Sequence, residues 1–499
     1  MNMEFFINFP FFTIVLSLIC AAVSSVLSHK AARVLCFFAN IAVIVMSACT
    51  LIYTLATDSF YTYRMGHFDA PFGNMIRFGP LETFLAVFLC SVLLLSLYGG
   101  MKHIYDDNDE HKLNYYFALI NLLRAAILAL LYTDDVFTAF VFIEICTLSS
   151  TGILIIRQVG RTTVAAVRYL IFNLLGSGLY LIGIIILYDI TGHLLIPNIA
   201  SSVASLAESG EYAVPLLMSA ALITLGLAIK SGLFPFCYWM PDTYAYATTA
   251  SSSIISGIVS KIYIFTSIKM LYRVFGSQYI KEIHIADILF VFGLIGIIMG
   301  SLHAIKEKNL NRMIAFSSAA QIGYIYVAIG LVSKAGIIAA VFHMLNHAIS
   351  KPLLFTSADG LIDSVCNRKN FDALRGSAHK NKLAGVGFTV GSMSMVGIPA
   401  FAGFVSKLLI SEAATEIPGK MLVTLIVLSV STVLNAIYFL HTVVTIYTPN
   451  SGDTDCIKMK ATAKLAAVYA VFIALNLFLG LHPQPVMNIL NSGLALFIK

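Results

Sequence analysis

Leu216-Leu-Met-Ser-Ala-Ala-Leu-Ile-Thr-Leu-Gly-Leu-Ala-Ile-Lys230-Ser-Gly-Leu-Phe-Pro235 reads as a membrane helix that carries a cation and then breaks. An ammonium inside hydrocarbon costs several kcal/mol and is kept there for function more often than for packing. Pro235 lacks a backbone donor and interrupts the helix at that depth. Irregular backbone survives inside a bilayer only where protein or water covers it. A buried charge beside a broken helix points to an ion path.

The rest of the chain agrees with this setting. It has 499 residues, of which 59% are hydrophobic and 11% charged, with a mean hydropathy of +0.88. A soluble domain carries roughly 25% charged residues. Apolar stretches of about 20 residues match a hydrocarbon core of ~30 Å and lack the short alternation of an outer-membrane barrel. The fold class is therefore an all-α polytopic membrane protein. The net charge of +6 is no sign of nucleic-acid binding, because the basic residues sit mainly in short loops. Eight scattered cysteines offer no cluster-ligand spacing, so no iron–sulfur or zinc site and no cofactor are expected.

Hydropathy predicts about fourteen spans: 5–28, 32–57, 81–100, 114–133, 136–157, 164–189, 213–240, 248–272, 286–304, 312–331, 335–361, 384–412, 421–447 and 462–480. The final stretch, Val486 to Ile498, is short for a span and is expected at the interface. Odd-numbered loops hold eighteen basic residues, against seven for the even loops and the C-terminus. The bias places the odd loops in the cytoplasm and both termini outside the plasma membrane. Six basic residues remain inside spans: Arg124, Lys230, Lys261, Lys269, Lys351 and Lys407. Lys269 is close enough to a helix end to snorkel, and Arg124 reads as structural. The other four need another explanation.

Glu144 stands near the middle of the fifth span and needs a polar partner, with Lys230 the obvious candidate. In the eleventh span, His343, His347 and Lys351 recur at i, i+4 and i+8, which stacks them on one face. Imidazole titrates nearest neutral pH and suits a proton relay, although His343 alone reads more as a histidine satisfied by a neighbouring carbonyl. The twelfth span repeats the motif of the seventh: Gly397-Ile-Pro399-Ala-Phe-Ala-Gly403-Phe-Val-Ser-Lys407 places a proline break before a lysine. Spans 4–8 and 9–13 thus read as two inverted five-helix repeats with spans 7 and 12 discontinuous. The corresponding divisions are an N-terminal three-helix segment (1–112), repeats at 113–273 and 274–447, and a C-terminal helix and tail (448–499).

The run Lys230-Ser-Gly-Leu-Phe-Pro-Phe-Cys-Tyr-Trp-Met-Pro-Asp242 resembles the K-x-x-x-x-P-F-H-x-W-L-P-D signature of antiporter-like proton-pumping subunits. That family comprises membrane-arm subunits of complex I, Mrp-type cation/proton antiporter subunits and related hydrogenase subunits. Arg312-Met-Ile-Ala-Phe-Ser-Ser318, His347-Ala-Ile-Ser-Lys351-Pro-Leu-Leu-Phe355, the Gly397–Lys407 run and Glu144 are similar too. The region from Arg161 to Gly192 looks closest to Mrp D-type subunits. Departures include Cys237 in place of the family's histidine, Ala247–Ser253 in place of its A-P-T-P-V-S segment, and Asn309 and Asn311 in place of charged residues.

The resemblance implies a proton or Na⁺/H⁺ translocating subunit whose path runs through Glu144, Lys230, Lys261, His347, Lys351 and Lys407. His343, Ser318 and Asp242 would be secondary members, and Pro235 and Pro399 the helix breaks. It implies partnership with other membrane subunits of an antiporter or a respiratory or hydrogenase complex. The ligands would be protons or Na⁺, and the chain would have no autonomous catalytic site. A structural anchor subunit with a non-conducting path is the alternative reading, and a stand-alone solute transporter a third.

Overall fold

The computed structural model describes residues 3–65, 68, 73–449 and 462–498. Lys458, Lys460 and Lys499, three members of the loop-charge count, lie outside the described residues. The helices are α1 (Phe9–Val26), α2 (His29–Thr57), α3 (Pro80–Gly99), α4 (Met101–Asp107), α5 (Leu113–Tyr132), α6 (Val136–Ile155) and α7 (Gly160–Thr191). Then come α8 (Ile196–Ser209), α9 (Ala213–Ser231), α10 (Met240–Tyr246), α11 (Thr249–Ile254), α12 (Ser260–Lys269), α13 (Ser277–Glu282), α14 (Ile285–Lys306) and α15 (Leu310–Gly330). The series closes with α16 (Lys334–Asp363), α17 (Ser377–Lys380), α18 (Lys382–Val396), α19 (Ala402–Thr415), α20 (Pro418–Tyr447), α21 (Ala463–Leu481) and α22 (Gln484–Phe497).

Thirteen stretches among the described residues are long and apolar enough to cross a membrane. They match thirteen of the fourteen expected spans to within a few residues; the eighth, for example, runs Thr249–Phe275. The remaining one, expected at 384–412, is the pair α18 and α19. Their 15 and 14 residues are each too short for ~30 Å of hydrocarbon, and only together do they cross. The chain is thus a multi-pass integral membrane protein.

Loop contacts respect the alternation of the crossings. His103, in the third loop, meets Asp363 at the end of the eleventh span, and Asn309 bridges Asn370; all of these lie on the odd-loop face. Arg273 pairs with Asp134 at 2.6 Å, and Lys420 donates to Gly330 O at 2.7 Å, on the even-loop face. Arg77 of the second loop reaches Leu496 O at 2.7 Å and Tyr63 stacks on Phe11, so both chain ends share the even-loop face.

Three elements near the surface position these ends. A hairpin pairs β1 (Tyr61–Arg64) with β2 (Met75–Phe78), Tyr61 opposite Phe78 and Arg64 opposite Met75. It was not expected from an all-α reading. The short helix α8 buries Ile196, Ile199 and Val203, a one-sided stripe at i, i+3 and i+7. The expected interfacial stretch is α22, which buries Val486, Leu490, Leu494 and Phe497. Gly493 lies against Leu81 of α3 and Phe497 against Phe265 of α12.

The centre is formed by the eighth, tenth and eleventh spans, whose apolar windows are entirely buried, whereas only 28% of the α21 window is. A span with no lipid-facing side must take its partners from neighbouring helices. These three hold Lys261, Lys269, His343, His347 and Lys351.

Two of the six buried cations are structural. Lys269 does not snorkel: its Nζ donates to the carbonyls of Leu130, Leu131 and Thr133 at 2.8–3.0 Å. These carbonyls end α5 and have no intrahelical donor, so the ammonium caps the negative end of that helix. Arg124 donates to Ser17 at 3.0 Å and to Cys36 O, tying α5 to α1 and α2.

Candidate functional site: four buried lysines

The break after α9 is built by Gly232, which adopts φ +78°, a conformation open to glycine and costly for other residues. Its N–H bonds Ala228 O and Ile229 O, which closes the helix. A 3₁₀ turn (Phe236–Trp239) then leads into α10. Lys230 is therefore in the last turn of a helix at mid-span, fully buried, where the helix dipole favours a cation. Its stem packs on Gly176, where α7 and α9 approach so closely that a Cβ would meet Gly226 O at 2.7 Å.

Lys230 Nζ donates to Thr147 Oγ1 at 2.7 Å and lies 5.2 Å from the Tyr263 ring centroid. Thr147 Oγ1 is also 3.2 Å from Tyr263 OH. The carboxylate expected to pair with Lys230 is not its direct partner. Glu144 sits one turn before Thr147 on the same helix, its Oε1 buried and without a hydrogen bond among the described residues.

Lys261 follows a π-helical turn at Ile255–Val259. The wider turn shifts the carbonyl ladder by one residue, and Lys261 Nζ bonds Ser256 O and, at 3.1 Å, Ser260 Oγ. The same turn brings Gly257 against Pro352 of α16, where a Cβ would lie 2.7 Å from the proline ring. Pro352 lacks the donor that would bond Ala348 O, so both helices are irregular where they cross.

On α16, Lys351 Nζ donates to Ser317 Oγ at 2.5 Å and Ile314 O at 3.0 Å, both on α15. One turn earlier His347 is completely buried, with neither ring nitrogen hydrogen-bonded among the described residues. Another turn earlier His343 Nδ1 is 3.0 Å from Ser406 Oγ on α19, and its ring stacks on Tyr324 with centroids 5.3 Å apart. The i, i+4, i+8 stripe is a continuous face pointing from α15 to α19.

Lys407 closes the series. Gly397, at φ +89°, ends α18, and Lys407 Nζ reaches back across the gap to Val396 O at 2.7 Å and to Thr432 Oγ1 at 3.2 Å. It lies 5.2 Å from the Tyr324 ring centroid, the counterpart of Lys230 over Tyr263. Pro235 and Pro399 both stand in the breaks.

Two secondary candidates make no hydrogen bond to these lysines among the described residues. Asp242 is held on the odd-loop face by Arg168 at 2.6 Å and by Arg312. Ser318 donates to Ile314 O of its own helix, and its neighbour Ser317 is the residue that faces Lys351. Sequence reasoning also passed over Thr147, Tyr263, Tyr324, Asn435 and Tyr438. Tyr324 OH donates to Ser431 at 2.6 Å, and Tyr438 OH to Asn435 Oδ1 at 2.6 Å. Asn435 also approaches Tyr324 OH and Ser301, which links α14, α15 and α20. Their signal was a polar residue inside an otherwise apolar span, which is expensive unless satisfied.

A family model described as NADH:quinone oxidoreductase/Mrp antiporter, TM, matches residues 133–435. The chain is 29% identical over 412 residues to NADH-quinone oxidoreductase subunit N of Desulforudis audaxviator, covering 82% of this chain and 80% of that one. It is 22% identical over 442 residues to the D-type subunit of the Na⁺/H⁺ antiporter of Bacillus subtilis, covering 87% and 85%. A chain of the Mrp complex from Dietzia superposes with a TM-score of 0.87 at 22% identity, covering 100% of this chain and 98% of its own. The match spans both broken helices and the lysines beside them, and the chain belongs to the NADH:quinone oxidoreductase/Mrp antiporter transmembrane family.

Proposed function

We propose that this protein translocates protons, or exchanges Na⁺ for protons, as one membrane subunit of a multisubunit antiporter or redox-driven pump in the plasma membrane. The path would run along Glu144, Lys230, Lys261, Lys351, His347, His343 and Lys407. One observation carries the reading. Each of the four lysines is held by a serine or threonine hydroxyl: Thr147, Ser260, Ser317 and Thr432. A hydroxyl accepts from an ammonium and donates to a neutral amine, so each site can satisfy both protonation states. The unengaged His347 nitrogens supply a group able to take up a proton and release it.

The loop charges favour both termini outside, and the inverted repeats 113–273 and 274–447 would give each half one broken span. The tests use vesicles containing the assembled complex. Lys230→Ala should abolish proton translocation while assembly persists; undiminished transport would remove the role assigned to the line. If the chain is only an anchor, Glu144→Gln and Lys407→Ala will leave pumping unchanged while deletion of the chain prevents assembly.

A further inference from the structure

Outside the lysine line, the odd-loop face carries a groove of about 440 Å³ between the start of α2, the end of α3 and the start of α21. Its floor and outer wall are apolar, formed by Val34, Phe38 and Leu465, while Arg33, Lys102 and Lys464 line its rim. Phe38 is 69% exposed and Val34 47%, so the apolar wall looks outward where lipid would lie. The polar rim occupies the level of the loops.

We propose that this groove binds one anionic phospholipid, the acyl chain along Phe38 and Val34 and the phosphate among the three basic groups. Charge complementarity commits the site to an anion, since no carboxylate lines it among the described residues. Arg33 faces the Tyr105 ring at 5.6 Å, and neither it nor Lys464 has a carboxylate partner among the described residues. Lys102 gives one of its donors to Asp363 at 2.8 Å and keeps two. The helix α21 begins here, and its first-turn N–H groups, of which Thr462 caps that of Leu465, add partial positive charge. An amphipathic groove at loop level is a poor fit for a soluble anion, which would leave the apolar wall uncovered. Basic pockets between spans on the side richer in Lys and Arg suit acidic headgroups.

Native mass spectrometry of the purified full-length chain, with phosphatidylglycerol, phosphatidylcholine or inorganic phosphate added, tests the proposal. Phosphatidylglycerol should be retained through activation, and the other two should not. A basic residue near an anionic headgroup contributes about 1 kcal/mol, or about fivefold. Arg33→Gln with Lys464→Gln should then weaken phosphatidylglycerol binding about 30-fold, and Lys464→Gln alone, the milder change if the pair misfolds, about fivefold. Equal retention of phosphatidylcholine, retention of inorganic phosphate, no retention of phosphatidylglycerol, or unchanged binding by the variants would each overturn it.

Discussion

Replacing Gly232 by alanine tests whether the break in the seventh span holds Lys230 in place. Two costs can be read from the geometry. The backbone stands at φ +78°, ψ +37°, a left-handed conformation that costs a residue with a Cβ about 1–2 kcal/mol. The new Cβ would also fall 1.9 Å from Met240 Cε. Met240 is fully buried, so its thioether must move within a packed interior, and such overpacking costs about 1–3 kcal/mol. The sum is about 2–5 kcal/mol. The two parts separate in a cycle with Met240→Ala. On that background Gly232→Ala retains only the backbone cost, so the pair should couple by about 1–3 kcal/mol. Unfolding of all four proteins in detergent measures the coupling, and proton flux in vesicles should fall with Gly232→Ala because Lys230 lies two residues away. Strict additivity, or a Gly232→Ala protein with native stability and full transport, would refute the reasoning.

Thr147→Val keeps the shape of the side chain and deletes the hydroxyl that holds Lys230; a hydrogen bond to a charged group is worth about 1.5–3 kcal/mol, so transport should drop at least tenfold while Thr147→Ser retains it. Tyr324→Phe loses the bond to Ser431 but keeps the ring facing Lys407, and Tyr324→Leu loses both. Flux in the leucine variant should be lower, since a desolvated cation–π contact contributes about 2 kcal/mol; equal flux would dismiss the ring contact. His103 gives a pH signature. Burial would lower its pKa, but the hydrogen bond to Asp363 and the carboxylates of Asp359, Asp363 and Asp107 outweigh it, and the net shift is upward. A raised folded value means that the stabilisation is complete below the ordinary histidine pKa of about 6.5 and is lost as pH rises through the folded value. The melting difference between wild type and His103→Gln should therefore shrink from mildly acidic to alkaline pH, and a difference that grows would contradict the pairing.

The spans were legible because hydrocarbon thickness dictates their length and composition. The broken pair at 382–396 and 402–415 was legible because Gly397 and Pro399 flank a lysine. The lysines stood out for the same reason, being the wrong chemistry at that depth. What the pattern could not convey was which oxygen each lysine touches. Thr147 rather than Glu144 holds Lys230, and Ser317 rather than Ser318 holds Lys351. The choice between Ser317 and Ser318 turns on about 100° of helix rotation, and that between Glu144 and Thr147 on about 60° with a rise of about 4.5 Å; both are set by contacts between distant spans. Lys269 was misjudged on depth alone: the carbonyls it caps belong to α5, some 140 residues earlier. The hairpin at Tyr61–Phe78 was hidden because β2 is seated by Ile76 bridging Thr133, a long-range contact.

The charges of this protein fall into two populations with different chemistry. Near the faces, cations meet carboxylates: Arg273 with Asp134, Arg168 and Arg312 with Asp242, Lys102 with Asp363, Arg157 with Asp107. An ionised carboxylate only accepts hydrogen bonds, so a lysine or arginine bound to one is held in its charged form, which suits a structural clamp. Along the centre, the four lysines meet hydroxyls and backbone carbonyls. A buried polar group left unsatisfied costs about 1–3 kcal/mol, and a lysine facing only acceptors would incur that cost each time it lost its proton. In the proposed path the Ser and Thr hydroxyls would remove it by rotating from acceptor to donor. Lys269, which serves as a strut, shows the other pattern: it is fixed by three carbonyls at the end of α5. Keeping Glu144 one turn away from Thr147, with its Oε1 not hydrogen-bonded among the described residues, would leave the carboxylate able to bias the ammonium by field without fixing it. Replacing Thr147 by aspartate should therefore preserve assembly and yet stop transport, because it converts the first lysine of the line into a clamp; full transport in Thr147→Asp vesicles would show that partner chemistry does not matter.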